Sequence, residues 1–174
     1  MDGIINLDKP SGITSHDAVA LVRRLAPGVK VGHAGTLDPA ATGVLPLCLG
    51  RATRVSQYIL EMNKSYCAAI NLGITTTTGD AEGDVITSVD PPHFKQSDVE
   101  KVIDSLKLLQ LQVIPPYAAA KHRGRPFYEY ARRGKKVPIR MRSIRIYHSK
   151  LLNFSPESAP QITFEVECSK GTYI

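Results

Sequence analysis

Asp38 is the only acid in the stretch Gly32-His33-Ala34-Gly35-Thr36-Leu37-Asp38-Pro39-Ala40-Ala41-Thr42-Gly43, and it follows His33 by five residues. A lone carboxylate on a stiff loop is a plausible nucleophile. Three glycines and a proline in these twelve residues describe a shaped loop, neither helix nor strand. Pro39 also pushes Asp38 out of the α region. Plain turn chemistry is the alternative, because an aspartate before proline often caps its own loop and a loop histidine often bonds its own backbone. There is no Gly-Lys-Ser/Thr ending and no Gly-x-Gly-x-x-Gly here, so neither a P-loop nor a dinucleotide cradle is supported.

Such a loop needs anchors. Val44–Leu49 is an apolar run that reads as a short buried strand. Upstream, Gly3–Leu7 reads as a strand and Asp8–Gly12 as a turn. Thr14-Ser15 then opens a helix with Asp17 near its positive end and Val19, Val22 and Leu25 inward, stopped by Pro27-Gly28. Downstream, Ala52–Leu60 reads as a helix with Val55, Tyr58 and Ile59 inward. Lys64–Leu72 alternates as a half-buried strand. Tyr66, near its start, suits the core or the edge of a cleft, since a buried phenol needs a partner.

The rest is less pointed. Gly73–Asp84 is a turn-rich connection whose acids lack the spacing of a calcium loop, and Val85–Thr87 is a short strand. Ser97-x-x-Glu100 reads as a capping box before Val99, Val102, Ile103 and Leu106. Leu108–Ile114 is extended, and Phe127–Arg133 is a short helix ended by Gly134. Arg140–Phe154 and Gln161–Cys168 alternate and form a hairpin about Ser155-Pro156-Glu157-Ser158. The final residues Ser169–Ile174 open another glycine turn and stop in mid-motif, which predicts a C-terminal part beyond this chain.

Composition sets the class. With 174 residues, 43% hydrophobic and 22% charged, the chain suits one globular domain and excludes disorder. No apolar run approaches membrane-spanning length and the N-terminus carries no leader, so a cytoplasmic protein without a membrane partner is expected. Cys48, Cys67 and Cys168 are too far apart for a disulfide framework or a zinc site, and buried structural thiols are expected. The net charge of +6 is uneven: residues 117–150 hold eleven of the 22 Lys and Arg against one acid, Glu129. Interleaved with Tyr117, Phe127, Tyr128 and Tyr130, this segment suits a polyanion with stackable bases, with a merely solvated basic face as the alternative.

Several stretches together resemble the bacterial tRNA pseudouridine-55 synthases of the TruB type. Gly3-Ile4-Ile5-Asn6-Leu7-Asp8-Lys9-Pro10-Ser11-Gly12-Ile13-Thr14-Ser15 is similar to their first signature, and His33–Pro39 to their catalytic loop. Lys64-Ser65-Tyr66 is similar to their tyrosine strand. Ile114-Pro115-Pro116-Tyr117 with Lys121, Gly124, Tyr128 and Ala131-Arg132 matches a further segment. Cys168–Ile174 matches a third signature, so the resemblance runs the length of the chain.

The resemblance implies an α/β (α+β) fold: the pseudouridine-synthase catalytic core, a mixed, mostly antiparallel sheet flanked by helices. Residues 1–174 would be that catalytic domain, incomplete at its C-terminal end and without the small PUA-like RNA-binding domain. It implies an isomerase that converts uridine to pseudouridine in the T arm of tRNA, acting as a monomer with no cofactor and no metal. By resemblance Asp38 is the nucleophile, attacking sugar or base, with a nearby cation favouring its charged form. Tyr66 stacks on the flipped base, His33 contacts RNA near the vacated position, and Tyr173 contacts the bound nucleotide. The arginine that pairs with the aspartate in the family follows the Tyr-Ile of the third signature, where this sequence stops at Ile174. The 174 residues alone are therefore expected to be weakly active or inactive. Two other readings stand: a guide-RNA-dependent synthase of the archaeal and eukaryotic type, and a non-catalytic RNA-binding module.

Overall fold

A computed structural model describes residues 1–157 and 160–174. The chain folds as two compact units, Met1–Met62 and Asn63–Ile174.

The first unit is a three-stranded antiparallel sheet under one helix. Strands β1 (Gly3–Lys9), β2 (Val31–His33) and β3 (Gly43–Leu49) lie in the order β1-β3-β2. The apolar run read as buried is the central strand, and its Leu45, Leu47, Cys48 and Leu49 are buried. Helix α1 (Ser15–Leu25) covers the sheet with Ala18, Val19 and Val22. Its start is a capping box, in which Thr14 and Asp17 each bond the other's backbone N–H. Leu25, expected inside, is 77% exposed at the last position of the helix. β1 runs on to Lys9, so the turn begins two residues later than the sequence indicates. The expected helix over 52–60 is broken: a 3-10 turn at Gly50–Arg54 precedes α2 (Ser56–Glu61). That break rotates Val55 and Tyr58 outward, against expectation.

The second unit centres on β4 (Lys64–Asn71), β11 (Ile146–Ser155) and β12 (Gln161–Cys168), in the order β11-β12-β4. Helix α3 (Gln96–Ser105) packs Val99 and Ile103 against Ile146, Ile162, Phe164 and Val166. Buried Ser149 on β11 donates to the Ile103 carbonyl at 2.8 Å and ties strand to helix. The capping box expected at Ser97 is absent: the N-cap is Lys95, and the Glu100 carboxylate accepts from the Gln96 side chain instead. Three two-stranded ribbons complete the unit: β5 (Ile74–Thr76) with β6 (Val85–Ser88), β7 (Leu111–Val113) with β10 (Met141–Ser143), and β8 (Lys121–His122) with β9 (Arg125–Pro126). Short helix α4 (Phe127–Ala131) follows β9. The hairpin is as expected from Ile146 on, but the strand expected over Arg140–Phe154 is two, with Met141–Ser143 pairing instead with β7 in another sheet; Ser158 of the turn lies outside the described residues. Every strand pairing among the described residues is antiparallel, and the strands divide among five sheets. Among the described residues no helix is long and apolar enough to cross a membrane.

Candidate active-site loop

The Asp38 loop is fixed from both flanks by side chains of the first signature. Ser15, buried at the start of α1, donates to the Leu37 carbonyl at 3.1 Å and accepts from the Leu37 N–H at 2.9 Å. On the other side, the Pro39 carbonyl accepts from the Lys9 ammonium at 3.1 Å and from the Gly12 N–H at 2.9 Å. Lys9 is fully buried and also donates to the carbonyls of Pro10 at 2.9 Å and Ile13 at 2.8 Å. An ammonium has three protons, and here each has an oxygen, which is the condition for burying it. The Ala34 N–H donates to the Pro46 carbonyl at 2.8 Å and fastens the loop's entrance to β3.

The residue between these clamps is the exposed one. Asp38 presents its side chain to solvent, while its carbonyl accepts from the Ala41 N–H at 3.1 Å. Among the described residues its carboxylate makes no hydrogen bond and no ion pair, so the neighbouring cation expected from the resemblance is not found there. His33 Nδ1 bonds the carbonyl of Gly35. A carbonyl only accepts, so Nδ1 carries the proton of this bond, which in the neutral ring leaves Nε2 as an acceptor. Of the loop's three glycines only Gly43 has a positive φ, 112°. The loop's shape therefore rests on Lys9 and Ser15 more than on glycine.

Tyr66 and Tyr173 belong to the second unit. Tyr66 is half-buried on β4 opposite Val166 and packs against the central core. Tyr173 packs on a different cluster, Ile114, Ala118 and Phe127. Its main chain pairs with the Gln112 amide. His33 and Asp38 thus share one loop, and the two tyrosines lie on separate clusters of the other unit.

All eleven Lys and Arg of 117–150 are exposed. The aromatics among them are less accessible than the sequence suggests. Phe127 is fully buried, with the Arg140 guanidinium 5.8 Å from its ring, and Tyr128 lies 5.5 Å from Arg132. The cysteines differ too: Cys48 and Cys168 are buried, and burial pushes both thiols up, whereas Cys67 is exposed on β4 against expectation. Alternation places Cys67 on the face away from the core that holds Tyr66 and Ala68.

The sequence model of the TruB family pseudouridylate synthase N-terminal domain matches residues 23–174. This chain belongs to the TruB family. Among curated TruB relatives, the tRNA pseudouridine synthase B of Syntrophotalea carbinolica is 47% identical over 174 residues, all of this chain and 56% of that protein. That of Marinomonas sp. strain MWYL1 is 44% identical over the same share of each. The chain thus spans about half the length of the curated relatives it matches. Among solved structures, a Cbf5-Nop10-Gar1 complex matches with TM-score 0.63 and 31% identity, over 99% of this chain and 41% of that one. An H/ACA RNP bound to a substrate RNA containing 2'-deoxyuridine matches with TM-score 0.62 and 30% identity, over 98% and 39%.

The sequence by itself points to no role for Lys9, Ser15, Gln112 or Arg142. Lys9 and Ser15 lie inside the TruB-like first signature, which is the one signal that could have found them. Gln112 carries none beyond its polarity within an extended stretch, and Arg142 only its place among the cations of 117–150.

Proposed function

We propose that this chain supplies the nucleophile and part of the RNA-binding surface of a tRNA pseudouridine-55 synthase, acting on the T-arm uridine. The N1–C1′ bond breaks, the base turns, and C5 bonds to C1′. C5 loses one proton and N1 gains one, so the reaction is an isomerisation with no redox change. Asp38, ionised, attacks sugar or base. Extruding the uridine costs a few kcal/mol. Stacking on the Tyr66 ring would return about 1–3 kcal/mol of it. The free Nε2 of His33 accepts from RNA near the vacated position, Tyr173 contacts the nucleotide, and the exposed cations of 117–150 follow phosphates. The protein is a cytoplasmic monomer in this reading.

The observation that carries the reading is a carboxylate with no hydrogen-bond or ion-pair partner among the described residues, on a loop whose two flanking residues are held by Lys9 and Ser15, in a chain of this family. A group that served only to shape its own turn would be bonded within it.

The likeness to Cbf5 structures favours a second reading, in which a guide RNA selects the target. The relatives named tRNA pseudouridine synthase B are more similar, at 44–47% identity against 31%. An unmodified tRNA transcript, incubated with excess protein and no guide, separates the two. Pseudouridine at the T-arm uridine supports the tRNA reading. Conversion only after a guide RNA is added supports the other.

A further inference from the structure

Tyr173 is held by two side chains: Gln112, to which the proposed reaction gives no role, and Arg142, one of the exposed cations of 117–150. Gln112 on β7 and Arg142 on β10 stand directly opposite each other in the antiparallel register, so they rise side by side on one face of the ribbon. The Gln112 amide meets the Tyr173 main chain at two points. Its Nε2 donates to the Tyr173 carbonyl at 2.7 Å, and its Oε1 accepts from the Tyr173 N–H at 2.9 Å. A two-point grip of this kind fixes the direction of the backbone as well as its place. Arg142 acts slightly earlier in the chain. Its Nη1 donates to the Gly171 carbonyl at 2.9 Å, and its guanidinium lies 5.7 Å from the centre of the Tyr173 ring.

Gly171 is an independent mark of the same arrangement. Its φ is 71°, and a Cβ placed there would lie 2.1 Å from Nη1 of Arg142. The guanidinium therefore packs directly against Gly171, and the positive φ at that turn disfavours any residue with a side chain. Ser169 adds a second tie: its Oγ accepts from the Arg145 N–H and its own N–H donates to the Arg145 carbonyl.

We infer that Gln112 and Arg142 are positioning residues that set the place and tilt of Tyr173, so that Arg142 is committed to the protein and not to phosphate. The part concerning catalysis rests on the proposed function. The part concerning Tyr173 does not.

The test uses the full 174-residue chain and an unmodified T-arm stem-loop RNA. Hydrogen exchange at the Tyr173 amide reads the clamp directly. Gln112→Met should accelerate it about tenfold or more, while Gln112→Glu, which keeps the acceptor for that N–H but loses the donor to the Tyr173 carbonyl, should fall between the two. Arg142→Met should leave the salt dependence of RNA binding unchanged and slow conversion at saturating RNA about tenfold, with little change in KM. Full-rate exchange at Tyr173 in the unaltered chain, or no change in Gln112→Met, overturns the clamp. A salt slope lower by about one in Arg142→Met would make that residue a phosphate ligand and overturn its assignment. Faster exchange with undiminished conversion overturns the positioning role. If the unaltered chain converts no RNA even in excess, the catalytic part of the assignment falls for this chain, while the exchange data still decide the clamp.

Discussion

The ammonium of Lys9 and the carbonyl of Pro39, thirty residues apart in the chain, are joined at 3.1 Å inside the first unit, where Lys9 is fully buried. The bond links the end of the first strand to the residue after Asp38. It makes the first signature and the aspartate loop one structural object.

Lys9→Met keeps the volume and removes the charge. Replacing a buried ion pair by apolar groups can be neutral when both partners go, but here the carbonyls of Pro10, Ile13 and Pro39 remain. The substitution should destabilise the protein by about 2 kcal/mol or more, since bonds to a charged donor are worth roughly 1.5–3 kcal/mol each. Urea unfolding of the two proteins at one pH measures it.

Why Lys9 is illegible in the sequence follows from the distances involved. Its three acceptors lie one, four and thirty residues away, and only the last explains its burial. The capping box of Thr14 and Asp17 is closer to legible because its partners are three residues apart. Local periodicity fails where the backbone changes type: Val55 and Tyr58 fit a helical stripe, but the 3-10 turn before α2 shifts their phase. Alternation along β4 is right, and the expectation of a buried Cys67 is wrong because one face of that strand is exposed. Asp38 stands out by its setting in a rigid loop, whereas the source of the rigidity, Lys9 and Ser15, becomes visible only once the chain is folded.

The cap gives a pH signature. Hydrogen bonds from the Thr14 side chain and backbone hold the Asp17 carboxyl below its ordinary value. A folded-state value lower than the unfolded one contributes stability that is present above the unfolded value and lost as pH falls through the folded value. Stability should therefore fall below about pH 4, and Asp17→Asn should remove that part of the fall. Because Asp17 is fully exposed, the effect should be small and weaker at high salt. Denaturant midpoints between roughly pH 6 and pH 3, for both proteins, provide the check.

Thiol chemistry should follow burial. Cys67 is exposed, whereas Cys48 and Cys168 are buried with thiols pushed up by desolvation. A thiol-reactive reagent at neutral pH should modify Cys67 first and leave the other two unmodified until the protein is unfolded. Mass spectrometry of peptides after a timed labelling gives the order directly.

RNA binding should be steeply salt-dependent. Arg132, Arg133, Lys135 and Lys136 are contiguous in sequence but for Gly134, and all four are exposed. Replacing Lys135 and Lys136 by Gln should weaken binding of a T-arm stem-loop and of an unrelated stem-loop alike. The slope of log affinity against log salt should become shallower by about one for each phosphate no longer neutralised. Titrations at several salt concentrations measure both effects.

The role of Asp38 is decided by Asp38→Asn, with the protein in excess over an unmodified tRNA transcript and RNA affinity measured in parallel. Conversion seen with the unaltered chain should disappear while RNA affinity stays within about threefold, because the amide keeps the shape of the carboxylate and loses its nucleophilicity. Pseudouridine formed by Asp38→Asn at a comparable rate would contradict a nucleophilic Asp38.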